Sequence, residues 1–120
     1  MIAKGEPTLA ERIEAVEQAY EFMLAYAAQG REDEGGSIRQ FLERAAAALD
    51  GIAAAASAVP AGFLEVLEDD ARKAGAALQL VLTQKAITSQ LVDNLNASIH
   101  LRALLTDVFL LDEVLKRVER

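Results

Sequence analysis

Leu101-Arg102-Ala103-Leu104-Leu105-Thr106-Asp107-Val108-Phe109-Leu110-Leu111-Asp112-Glu113-Val114-Leu115-Lys116-Arg117-Val118 is the stretch that decides how this chain is read. Leu101, Leu104, Val108, Leu111, Leu115 and Val118 recur at alternating steps of three and four, the spacing that stacks side chains on one face of an α-helix. Leu105, Phe109, Leu110 and Val114 fill the positions between them. Only a thin polar stripe is left, marked by Arg102, Thr106, Glu113 and Arg117, with Phe109 falling on it. A helix apolar around so much of its circumference needs cover on several sides. This predicts an interface between subunits along Leu101, Leu104, Leu105, Val108, Phe109, Leu111 and Leu115, and hence a homodimer.

Upstream the same periodicity recurs. Leu9, Ile13, Val16, Tyr20, Met23 and Ala27 form one apolar stripe, while Glu11, Glu14, Gln18 and Glu21 occupy another face. Pro7 suits the start of this helix because its missing N–H needs no partner there, and Gly30 suits its end. The charged, glycine-ended run Arg31-Glu32-Asp33-Glu34-Gly35-Gly36 reads as a solvent loop. Ser37 with Gln40 three residues on reads as a capping box for a second helix, to about Ala58, with Gly51 as a mild weak point. Val59-Pro60-Ala61-Gly62 turns the chain back. Beyond Ala61 a single uninterrupted helix would exceed ordinary helix lengths, so a break is expected at Asp93-Asn94-Leu95-Asn96, where cap-competent residues cluster. The rival is one long helix from about Phe63 to the end. The fold class expected is all-α: one domain over residues 1–120, an antiparallel up-down-up-down four-helix bundle, with a second copy as the expected partner.

Composition agrees with close helix packing. Of the 120 residues, 52% are hydrophobic but only 5% aromatic, so Ala and Leu dominate the apolar content. Cysteine is absent, which removes disulfides, thiol nucleophiles and thiolate metal sites together. The net charge of −7 disfavours nucleic acid. The first seven residues hold one lysine and no apolar run before Pro7, so no signal peptide is expected, and the Gly51–Leu64 stretch is too Ala-rich and too short for a membrane span. A cytoplasmic protein follows as the expectation.

Chemistry has few places to reside. His100 is the single histidine. A carboxylate-bridged metal site in a bundle requires Glu-x-x-His, and position 97 is Ala, so no metal site is expected. Haem ligation by His100 with Met1 or Met23 is the nearest cofactor chemistry. A ligand pocket would draw on His100, Met23, Tyr20 and Tyr26, and this small-ligand bundle is the alternative functional class. Phosphotransfer lacks the acid and the Lys-Gly that accompany an exposed histidine, and Ser89 or Ser98 lacks a base and an orienting acid. The acidic faces read as solvated surface, and no cofactor is expected. The leading expectation is therefore a non-catalytic accessory, adaptor or chaperone-like protein that works through protein–protein contacts, its acidic faces suited to a basic client surface.

Overall fold

Thr8 opens the first helix by exchanging hydrogen bonds with Glu11. The Thr8 side chain accepts from the Glu11 backbone N–H, and the Glu11 carboxylate accepts from the Thr8 N–H at 2.8 Å. These contacts satisfy two of the donors that every helix start leaves open, and they hold the Glu11 carboxyl below its ordinary range. The computed structural model describes residues 5–33, 36–56 and 58–118, with the side chains of 117 and 118 left aside. Over these residues every regular element is an α-helix. α1 spans Leu9–Ala27, α2 Gly36–Leu49, α3 Ile52–Ala55, α4 Ala61–Leu82, α5 Ser89–Asn96 and α6 Ile99–Val118.

Six helices stand where four were expected, and each added break has a physical cause. The expected second helix stops at Leu49 because Gly51 adopts φ +84°, a left-handed conformation that favours glycine and ends a helix. The carbonyls freed there are taken by the buried Arg12 guanidinium, which donates to the Ala48 and Asp50 carbonyls and, through Nε, to Pro7. The same device closes α4, where Arg39 donates to the carbonyls of Leu82, Gln84 and Lys85. The chain leaves helix over 83–88 and re-enters it at Thr88, whose side chain accepts from the Leu91 N–H. A second break falls at Ala97 and Ser98, directly after the expected Asp93–Asn96 cluster, which itself forms the last turn of α5. Ser37 is not a cap: α2 has already begun at Gly36, so the hydroxyl lies in its first turn. The loop residues Glu34 and Gly35, the residue Ser57 and the haem candidate Met1 lie outside the described residues.

α1 packs chiefly on α2 and α5, while α4 packs on α2 and α6, and α6 also reaches α1. One contiguous core results. Ile13, Val16 and Met23 meet Ile38 and Leu42, Leu67 and Leu78, and Leu104, Val108 and Leu111. The Ala-rich turns allow this, since Ala45, Ala48, Ala71 and Ala74 are buried at contacts where larger side chains would hold the helices apart.

Candidate interaction surface

The four pocket candidates do not converge. Met23 and Tyr20 line one enclosed cavity with Leu78, Leu101 and Leu104, but its volume is about 10 Å³, barely room for a single water and far below a cofactor. Tyr26 is buried elsewhere, at the end of α1. Its hydroxyl reaches both the Ile87 carbonyl and the Asp33 carboxylate, and its single proton can serve only one of them at a time. Burial first, then Asp33, raises the Tyr26 pKa above its ordinary value. His100 is exposed on α6 and lines none of these contacts.

Tyr26 belongs instead to a clasp joining the end of α1 to the α4–α5 connection. Ser89 Oγ donates to the Tyr26 carbonyl at 2.7 Å and accepts from the Arg31 N–H at 2.8 Å, while the Ser89 N–H donates to the Arg31 carbonyl. Arg31 also lies over the Tyr26 ring, 5.1 Å from its centre. Ser89 is buried and fully employed there as a structural hydroxyl.

The seven α6 positions assigned to an interface divide into two groups. Leu101, Leu104, Leu105, Val108 and Leu111 are buried in the chain's own core. Leu115 is half-buried, and Phe109 is 42% exposed with its ring edge-on to Tyr20. Thus one subunit covers much more of this helix than its composition led us to expect. The surface that stays open is a different stripe, Ile99, Thr106, Leu110 and Val114 with half-buried Ala103 between, spaced by steps of three or four. Ile99 is 74% exposed, Leu110 55% and Val114 43%. On α4, Val66 and Leu80 are also open, on a stripe shared with Asp70, Lys73 and Ala77. Among the described residues, four of the seven exposed large hydrophobic side chains lie on α6 and two on α4, so apolar exposure gathers on this helix pair.

A feature missed in the sequence lies beneath that surface. Asp107 is only 9% exposed and faces Asp70 across the α4–α6 seam, and its Oδ2 has no hydrogen-bond partner. Burial first, then the hydrogen bond and charge of Asp70, push the Asp107 carboxyl up to about 7. In the sequence Asp107 carries no evident role, since it lies about two helical turns from His100 and cannot reach it within the helix. The available signal was its place within one turn of Leu104 and Leu111, on the helix flank that both bury.

A shallow groove of about 420 Å³ runs between α1, α5 and α6, edged by Tyr20, Leu24, Asn96, Arg102 and Phe109. Among the described residues no three His, Cys, Asp or Glu side chains gather in a metal-ligating group, and no helix is long and apolar enough to cross a membrane. No family model matches the chain, and no curated protein or solved structure resembles it closely enough to count as a match.

Proposed function

We propose that this protein is a non-catalytic accessory or adaptor that works by protein–protein contact, pairing with a second copy through the outward face of α6 as a dimer of up-and-down helical bundles. The observation that carries the reading is the concentration of exposed Ile99, Phe109, Leu110 and Val114 on one helix. Isolated exposed apolar residues are ordinary, whereas a contiguous stripe rimmed by polar groups is typical of contact surfaces. Charge does not oppose a copy of the same chain. The acidic excess of the molecule spares α6, where Arg102, Lys116 and Arg117 stand against Asp107, Asp112 and Glu113. Two such balanced helices can face one another across a twofold axis without net repulsion.

The small-ligand alternative has less behind it, because His100, Tyr26 and the Met23–Tyr20 cavity lie apart and the cavity has no room. The test is the pair of substitutions Leu110→Glu and Val114→Glu. Both positions face solvent, so circular dichroism should show an unchanged fold while size-exclusion chromatography with light scattering shows the dimer lost. A dimer that survives both charges would place the contact elsewhere.

A further inference from the structure

We propose that Asp70 and Asp107 form a proton-operated latch, in which one shared proton holds α6 against α4 and loss of that proton loosens the seam. The inference does not depend on the dimer. It rests first on geometry, because Asp107 is buried where α6 packs on α4, with Asp70 as the carboxyl neighbour that acts on it, and two carboxyl groups can hydrogen-bond only if one keeps its proton. Asp107 lies nine-tenths buried with one oxygen unpartnered, so water does not screen it freely.

Among the described residues no cation is placed to offset the pair. On α4, Lys73 Nζ lies 3.0 Å from Asp69, and Arg72 pairs with Asp69 as well, while Glu65 and Glu68 face solvent. On α6, Lys116 is 3.3 Å from Asp112, and exposed His100 and Arg102 lie at least a turn back from Asp107, with Glu113 ahead of it. From α1, Glu17 acts on Asp112 and Lys116, and Tyr20 meets Phe109 on another flank. α5 contributes Asp93, which is exposed. Among these groups Asp70 is the one whose charge acts on Asp107.

With α6 undocked, Asp107 would regain an ordinary carboxylate pKa, whereas in place it holds its proton up to about 7. Between those values the docked state carries a proton that the undocked state has released. Docking therefore weakens as pH rises through that window and levels off above it. The open stripes on either side of the seam, Ile99, Leu110 and Val114 on α6 and Val66 and Leu80 on α4, would shift relative to one another as it loosens.

Amide hydrogen exchange of the whole chain, corrected for intrinsic rates and followed by NMR from about pH 5 to about pH 8, reads this directly. Protection of α6 amides should fall about a hundredfold across that range, by roughly tenfold per pH unit until the proton is gone. Asp107→Asn, near-isosteric, should flatten the profile, Asp70→Asn should make it shallower because burial of Asp107 remains, and carboxyl ¹³C shifts should place the Asp107 titration near neutrality without any substitution. A carboxyl that titrates in the ordinary range, or a pH dependence left unchanged by either Asn substitution, would overturn the latch. So would recovery of protection at about pH 8 with millimolar calcium, which would make the pair a metal site.

Discussion

The end of α1 and the α4–α6 seam both bury polar groups, yet they handle them in opposite ways. At the α1 end, Tyr26, Ser89 and the Arg31 backbone meet so that buried donors and acceptors are matched, and Arg12 and Arg39 do the same for the carbonyls ending α2 and α4. In the seam, Asp107 meets a group of its own charge and keeps one oxygen without a partner. A satisfied polar contact inside a protein fixes geometry at little net cost. An unsatisfied one is destabilising, and its cost varies with protonation. The first kind builds the fold of this molecule, and the second makes one part of it responsive.

Removing Arg12 should break the comparison most severely. It ends α2 with hydrogen bonds to carbonyls and has no carboxylate partner among the described residues, so Arg12→Met should cost about 3 kcal/mol, or roughly 10 °C in melting temperature. Thermal unfolding within about 2 °C of the parent would deny the guanidinium this role. Tyr26→Phe removes only the hydroxyl of the clasp and should cost about 1.5 kcal/mol by chemical denaturation. The loss should be similar from about pH 5 to about pH 8, since a tyrosine with a raised pKa stays protonated throughout.

The seam should respond with the reverse sign. Asp107→Asn replaces a carboxylate that is costly to ionise by a neutral amide, so at about pH 8 it should stabilise by about 2.5 kcal/mol, the equivalent of that hundredfold, and at about pH 5 do nearly nothing. A uniform effect at both pH values would mean that the buried carboxyl is not the source. Smallest of all, Leu110→Glu, measured at submicromolar concentration where the chain is monomeric, should change the unfolding free energy by less than about 0.5 kcal/mol, because the side chain is 55% exposed. A larger loss would show that this position is covered by the chain itself.

The long periodic stripes were legible from the residues, because helical spacing of Leu9 to Ala27 and of Leu101 to Leu115 follows from burial on one face. Pro60 was legible for the same local reason. The breaks at Gly51 and over 83–88 were not, since each is completed by an arginine far away in sequence: Arg12 reaches Ala48, and Arg39 reaches Leu82. The Thr8–Glu11 capping box was visible in principle, but Pro7 beside it drew the helix start to itself. For the surface, periodicity identified α6 as the apolar helix without telling which side faces its own chain. That depends on how α4 and α1 lie against it, and the leucines singled out proved to be core while Ile99, Leu110 and Val114 stayed open. Asp107 escaped notice because a carboxylate in an amphipathic repeat reads as a solvated position until its neighbour across the seam is known.

The central claim is that the open stripe of α6 is a contact surface for a second copy. Sedimentation equilibrium of the unmodified chain, across a concentration series from about 1 to about 100 µM, where weak homodimers form, measures this most directly. The account predicts a mass that climbs from 12.9 kDa toward twice that value as concentration rises. A mass fixed at 12.9 kDa over the whole series would contradict it.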